Sequence, residues 1–212
     1  MNDPESLIPM KRDEFYAEQI KIFKETGHAT RACDIIDIFI FNSHGDLLVQ
    51  KRSRDKNHNA GMFDKTIGGH VTYGDTYNHT VMVETVQELQ TPSIVLNNKN
   101  DFIKTLDVLS EYTETIAIIK RNDTEIHTLP KIIKGERINI LNRVHLYFGV
   151  YDGRTRPVDR EAQGVLYYNF DDLIAEMSDN PTMFTDDLHF LMKTYEKEMR
   201  AFIEYIKEHK SK

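Results

Sequence analysis

Cysteine and tryptophan are nearly missing from this chain: Cys33 is the one Cys and there is no Trp among 212 residues. A single thiol cannot close an intrachain disulfide, so packing must hold the fold, as expected in a reducing compartment. Glycine (10) and proline (6) are scarce, and no low-complexity tract or polar linker marks a boundary, which predicts one domain over 1–212. Uncharged apolar runs such as Ile38 to Phe41 fall far short of the ~20 residues of a membrane span. Met1 to Met10 holds Asp3 and Glu5 and no apolar core of a secretory signal. A surplus of positive charge is lacking too. With 27 Lys+Arg against 34 Asp+Glu, the net charge is −7, which argues against extended nucleic acid as a partner. These absences predict a cytoplasmic protein with no membrane partner.

Apolar residues make up 40% of the chain, enough for a sizeable core. Lys11 to Glu25 has a helical pattern, and Gly27-His28 marks its exit. Asp34 to Asn42, rich in Ile and Phe, predicts a strand; Ser43-His44-Gly45-Asp46 is turn chemistry, and Leu47 to Lys51 resumes the extended run as a hairpin. Further strands are expected at Thr66 to Val71, Thr115 to Arg121, Val144 to Tyr151 and Val165 to Tyr168, with helices at Asp75 to Gln90 and Asp101 to Tyr112. After Asn180-Pro181, Leu188, Leu191, Met192, Tyr195, Met199, Phe202, Ile203 and Ile206 form one long helical stripe, suited to packing on the core or on a second subunit. The terminal helices could thus build a homodimer interface. The polar stretch Asp123 to Arg143 is expected to be a mobile lid or a β-hairpin. Strands interspersed irregularly with helices predict an α+β or α/β sandwich, divided as an N-terminal helical extension (1–29), a core (30–179) and a C-terminal helix (180–212).

The chemistry concentrates in Gly68-Gly69-His70-Val71-Thr72-Tyr73-Gly74-Asp75 and the helix that follows. At about 100° per residue, Met82, Val86 and Leu89 share one side, expected to be buried, and Glu84, Gln87 and Glu88 share the other. Glu84 and Glu88 lie one turn apart, and two carboxylates so spaced suit a hard cation such as Mg²⁺ or Mn²⁺. On an ordinary surface helix the same pair is a solvated face. Here the strand and glycine turn before it would bring backbone carbonyls and a His alongside. Lys51 and Arg52 close a strand that leads towards this segment and could clamp a phosphate. His70 could ligate metal or serve as a hydrogen-bonded structural His. Arg31 has no clear role, and Cys33 suits packing as a small apolar residue.

The segment resembles the Nudix box, Gly-x5-Glu-x7-Arg-Glu-U-x-Glu-Glu-x-Gly-U with U apolar. Gly69, Glu84 and Glu88 match it, Asp75 and Gln87 are close substitutes, and Val83 and Gln90 replace its Arg and second Gly. The flanks agree. Leu47 to Ser53, Gly61 to Asp64 and Ile67 to Val71 are similar to the lead-in of Nudix proteins near isopentenyl-diphosphate isomerase, and Glu161 followed by Tyr167 to Leu173 resembles the family's late strand and helix start.

The resemblance implies an α+β Nudix fold, an α/β/α sandwich around a mixed sheet, with added N-terminal and long C-terminal helices. It implies metal-dependent hydrolysis of a diphosphate linkage in a nucleoside diphosphate derivative or similar small molecule. Carried onto this sequence, Glu84 and Glu88 are the catalytic metal ligands. The Gly69 carbonyl, Gln87 and Glu161 complete the metal set for Mg²⁺ or Mn²⁺, and Lys51 and Arg52 bind substrate. Val83 cannot make the ion pair of the box arginine, and Gln87 removes one negative charge. The alternative is therefore a catalytically silent Nudix-fold domain that binds a nucleotide or a protein partner. Isomerase chemistry is disfavoured: Ile67-Gly68 stands where that enzyme needs a Cys, and Asn142-Arg143 where it needs an acidic pair.

Overall fold

The computed structural model of the chain describes residues 7–56, 59–133, 136–155 and 162–210. Helix α1 (Arg12–Thr26) closes at Gly27, whose left-handed φ of 79° lets its N–H return to Phe23 O. The Ile/Phe-rich run forms β1 (Ala32–Phe41), and the following turn leads into β2 (Leu47–Arg52). Two short strands come next, β3 (Phe63–Asp64) and β4 (Ile67–His70), then helix α2 (Tyr77–Leu89). Strand β5 (Ser93–Leu96), helix α3 (Lys99–Leu109), the long strands β6 (Ala117–Ile133) and β7 (Glu136–Val150), and β8 (Ala162–Tyr168) follow. Helices α4 (Phe170–Asp179) and α5 (Asp186–Lys210) complete the order.

All eight strands join one mixed sheet of order β3-β2-β1-β7-β6-β5, with β4 also paired to β1 and β8 to β2. Strands β1 and β7 run parallel from Ala32↔Leu141 to Phe41↔Val150, β5 and β6 are parallel, and the other pairings are antiparallel. The period-2 alternation of β1 splits the core. Ile36, Ile38 and Ile40 pack with Leu48, Ile67, Val81 and Leu89 beneath α2, whereas Phe39 and Phe41 pack with Phe148, Phe102, Phe170 and Phe202 beneath α3, α4 and α5. The result is an α/β/α sandwich. The apolar stripe of α5 is buried from Leu188 to Ile206 and covers the second face. Tyr195 interrupts its helical backbone (φ −113°, ψ 17°) and meets His127 Nε2 at 2.9 Å. No helix among the described residues is long and apolar enough to cross a membrane.

Of the two forms expected for 123–143, a mobile lid or a β-hairpin, its described residues form a β-hairpin. Strands β6 and β7 pair from Ile118↔Val150 out to Ile133↔Glu136, and Leu129, Ile138 and Ile140 are buried. Apolar residues on alternate positions keep its base on the core, a signal diluted by the polar residues between them. Strand β5 has no counterpart in the sequence expectations, being four residues long and lodged between two helices.

Where strand β2 leaves β1, the sheet parts. Strand β1 pairs with β2 only through Ile40↔Leu48 and Phe41↔Leu47, and with β4 from Ile35↔His70 to Ile38↔Ile67. Buried Thr66 ties the junction: its hydroxyl donates to Leu48 O and accepts from Ile40 N–H at 3.0 Å.

Helix α2 ends at Gln90, which takes the left-handed conformation (φ 54°, ψ 32°) while its N–H bonds Thr85 O and Val86 O. A side chain makes that conformation costly by ~1–2 kcal/mol, part of which glycine would return as lost chain entropy. Gln90→Gly should therefore stabilise the protein by ~1 kcal/mol and raise Tm by about 2–4 °C. Thermal unfolding followed by circular dichroism checks this; an unchanged or lower Tm contradicts it.

Candidate functional site

The parting of β2 from β4 opens onto a cavity of about 330 Å³. Its lining includes Asp37 of β1, Gln50 and Arg52 of β2, Gly68-Gly69-His70 of β4, Glu84, Gln87 and Glu88 of α2, and Asp187 of α5. Arg52, Gly69, Glu84, Gln87 and Glu88 are thus brought together. Lys51 is not among the lining residues: strand alternation sends it to the other face, where its Nζ lies 5.2 Å from the Phe63 ring centroid. Glu161 lies outside the described residues. Arg31 pairs with Glu18 at 3.3 Å, away from the cavity lining.

Helix α2 is turned from the orientation that its apolar pattern predicts. Met82 and Val86 are 47% and 53% exposed, while Val81, Thr85, Glu88 and Leu89 are buried. The apolar pattern alone places Met82 and Val86 inward and Glu88 on the opposite side. Instead Gln50 Nε2 donates to Glu88 Oε2 at 2.6 Å, so the carboxylate occupies the inward face at the cavity wall and the apolar pair is left outside.

The two glycines of β4 make this arrangement possible on both faces of the strand. A Cβ on Gly69 would stand 2.6 Å from Glu84 Oε1 and 2.9 Å from its Cγ. A Cβ on Gly68 would stand 2.7 Å from Lys65 Cε and 3.2 Å from Asp37 Oδ1. Bare backbone at Gly69 lets Glu84 lie against the strand, and at Gly68 it lets a buried ion pair form.

That ion pair is the centre of a charge cluster absent from the sequence reading. Lys65 Nζ lies 3.1 Å from Asp37 Oδ1, 3.7 Å from Asp64 Oδ1 and 3.8 Å from Asp187 Oδ2. Arg52 Nη1 bonds Asp64 Oδ2 at 3.0 Å, and the Thr185 hydroxyl donates to Asp64 Oδ1 at 2.9 Å. Burial works against a charged Lys65, but the three carboxylates outweigh it and hold its pKa above the usual lysine range. Burial likewise opposes ionised Asp64, yet Lys65 and Arg52 keep its carboxyl below the ordinary value. Asp37 goes the other way: burial, with Asp187 and Asp64 nearby, pushes it up to about 7 against the pull of Lys65. Two buried polar atoms of lining residues, Asp37 Oδ2 and Arg52 Nε, have no hydrogen-bond partner among the described residues. The one signal for Asp37 in the sequence is its isolation as a charge inside Ile35 to Phe41.

A second polar cluster sits beside the N-terminal end of α2. Arg143 Nε and Nη2 bond Asp34 at 2.5 and 2.7 Å, His145 Nε2 lies 3.2 Å from Asp34 Oδ1, and the His145 ring stacks on Tyr77 at 3.5 Å. Burial would raise Asp34, but these hydrogen bonds and charges hold it at about 2. The cluster is outside the cavity lining and locks β1, β7 and α2 together.

The oxygen donors at the cavity suit a hard divalent cation: Glu84 and Glu88 one turn apart, with the Gly69 carbonyl on the neighbouring strand. Among the described residues no three His, Cys, Asp or Glu side chains converge to hold a metal by themselves. Such an ion would rest on two carboxylates, a carbonyl, waters and the oxygens of a ligand, which is how Mg²⁺ is commonly held.

Residues 33–188 match the family model described as the NUDIX domain. The chain is 26% identical over 148 residues to an isopentenyl-diphosphate Delta-isomerase of Serratia proteamaculans, covering 70% of this chain and 68% of that one. Among solved structures, the NUDIX domain of Shewanella oneidensis NrtR, complexed with ADP ribose, superposes with a TM-score of 0.51 at 11% identity. That match covers 90% of this chain and 99% of the other. A bifunctional NMN adenylyltransferase/ADP ribose pyrophosphatase of Francisella tularensis, complexed with AMP and Mn ion, gives 0.52 at 11% identity, covering 88% of this chain and 47% of that one.

Because Asp37 binds its proton more tightly folded than unfolded, its contribution to stability is fullest below the unfolded carboxylate range, about pH 4, and is lost as pH rises to about 7. Unfolding midpoints for wild type and Asp37→Asn, measured from pH 4 to 8, should show wild type losing ground to the variant up to about pH 7 and holding level above it. A pH-independent difference contradicts this assignment.

Proposed function

The chain belongs to the NUDIX family, and from that premise we propose that it is a metal-dependent hydrolase of a diphosphate linkage in a nucleoside diphosphate derivative or similar small molecule. The observation that carries the proposal is the meeting of Glu84, Glu88 and the Gly69 backbone at one cavity that also holds Arg52 and Lys65. Family members are in general pyrophosphohydrolases, and the Mn ion of the Francisella protein is of the divalent class that these oxygen donors suit.

In this reading Glu84, Glu88 and the Gly69 carbonyl hold Mg²⁺ or Mn²⁺. A divalent ion bound there would neutralise charge developing on phosphoryl oxygens and lower the pKa of its water. Gln50 fixes the Glu88 carboxylate through its amide, and Gly69 leaves Glu84 the room to approach. Gln87 lines the same cavity with an amide able to hold a water but contributing no charge. Arg52, a residue of the cavity wall, binds a phosphoryl oxygen through its guanidinium. Lys65, already shared among three carboxylates, stabilises the negative charges of the wall and stays cationic throughout. Glu161 is proposed as a further carboxylate of the metal set on its sequence position alone.

Isomerase chemistry gains no support from the residues at hand. Cys33 is half-buried beside Ile35, Leu129 and Val144, away from the cavity lining, and burial pushes its thiol pKa up. Asn142 is buried with its amide donating to Ile140 O, and Arg143 is engaged with Asp34.

Phosphate release should be measured on nucleoside di- and triphosphates, dinucleoside polyphosphates, nucleotide sugars and prenyl diphosphates, with Mg²⁺, with Mn²⁺ and with chelator. Metal-dependent turnover is expected, falling about 100-fold or more in Glu88→Gln. Folded protein inert across the panel with both metals points to the silent binding domain instead.

Gly69→Ala should cost about 100-fold in kcat/KM, because the added methyl displaces the Glu84 carboxylate by an ångström or so. Near-normal turnover in that variant removes Glu84 from the proposed set.

A further inference from the structure

Four of the cations lining the cavity divide into two kinds. Lys65 and Arg52 are matched to carboxylates at 3.1 and 3.0 Å. Arg12 of α1 and Lys131 of the β6–β7 hairpin line the same cavity, and among the described residues neither makes an ion pair. Both instead gather at one phenol. Lys131 Nζ lies 2.9 Å from Tyr16 Oη and 5.2 Å from the ring centroid, and Arg12 Cζ lies 6.0 Å from that centroid. Tyr16 Oη also lies 2.9 Å from His70 Nε2, on the residue after Gly69. An ammonium can only donate, so Lys131 donates to the phenol oxygen. One N–H of Lys131 is used in this way, leaving the others for a ligand.

Two like charges drawn to one aromatic ring repel each other, and cation–π attraction offsets that only in part. A third group registers the crowding. The thiol of Cys33, raised by burial, is drawn back down by Lys131 first and by Arg12 as well. An anion between them would turn the repulsion into a clamp.

We propose that Arg12, Tyr16 and Lys131 form an anion subsite that takes a second phosphoryl group of the substrate, beyond the diphosphate held at Glu84 and Glu88. This rests on the diphosphate reading above and narrows it to compact substrates with phosphate at both ends. A cavity of about 330 Å³ lies at the small end of ligand sites, in keeping with such a molecule. The N-terminal helix and the hairpin then act as the specificity wall: Tyr16 orients the Lys131 ammonium and is itself oriented from β4 through His70, while Arg12 contributes a forked donor suited to phosphate.

The test is titration calorimetry with two probes, inorganic pyrophosphate and 5-phosphoribosyl 1-diphosphate, which carries a phosphate remote from its diphosphate, in Ca²⁺, an oxygen-seeking cation put in place of Mg²⁺ so that the probes are bound and not turned over. Wild type is expected to bind the second probe at least about tenfold more tightly, the scale of a charge-assisted phosphate contact. The double variant Arg12→Gln/Lys131→Gln should lose that preference while its pyrophosphate affinity stays within about twofold. Lys131→Arg should retain the preference, and Tyr16→Phe should reduce it by freeing the ammonium. Equal binding of the two probes by wild type, or an equal loss of both in the double variant, overturns the clamp and leaves the diphosphate reading standing. Failure of wild type to bind pyrophosphate at all removes the diphosphate reading, and the clamp falls with it.

Discussion

Two consecutive residues without side chains, Gly68 and Gly69, set the terms for the charged groups around them. Strand alternation points their missing Cβ atoms to opposite faces of the sheet. One face admits Glu84 from α2 and the other admits the Lys65–Asp37 pair near α5. Any side chain at either place would push a charged group away from the strand, and both sides of the cavity would change shape. The usual cost of glycine in a strand, a loss of packing and a gain in unfolded-state entropy, is here the condition for bringing charged groups to both sides of one backbone.

The charges themselves argue for arrangement over stability. Buried ion pairs roughly break even against well-packed apolar groups, while removal of one partner is strongly destabilising. The cluster of Lys65, Arg52, Asp37, Asp64 and Asp187 therefore gives little net stabilisation, which the apolar layers on either side of the sheet supply. What it does is fix positions. Each carboxylate is tied to a cation from a different element, so β1, β2, β3 and α5 are held in register around one opening. Arg12 and Lys131 stand outside that balance, on the N-terminal helix and towards the far end of the β6–β7 hairpin.

Much of the fold was legible because burial writes period-2 and period-3.6 patterns into a sequence. The Ile/Phe run of β1, the Leu47 strand and the stripe of α5 appear where those patterns place them. The α2 face was misread for the same reason in reverse: Met82 and Val86 carry the apolar pattern, yet Glu88, bonded to Gln50, takes the buried side. An apolar pattern ceases to mark the buried face where a carboxylate is held inward by a partner such as Gln50. Gly69, Glu84, Gln87 and Glu88 come to one cavity from a single motif, and Arg52 joins them from the end of the strand that leads towards it. Lys51 followed from adjacency in sequence, and strand alternation parts it from its neighbour. Asp37, Lys65 and Asp187 come from β1, the turn between β3 and β4, and α5, and Tyr16 and Lys131 are likewise far apart in the chain. No local pattern links them, since only the parting of β2 from β4 and the reach of the hairpin bring them to one place.

The hairpin of β6 and β7 has a consequence for how this architecture can be altered. A strand advances ~3.4 Å per residue and turns its side chains over at each step. Lengthening both arms by a residue pair below Lys131 would carry its ammonium about 7 Å outward on the same face. Lengthening by a single residue would swing it to the other side. The reach of the wall is thus graduated in steps of two, a ruler by which engineering could fit the opening to longer or shorter molecules without disturbing the glycines, the carboxylates or the core.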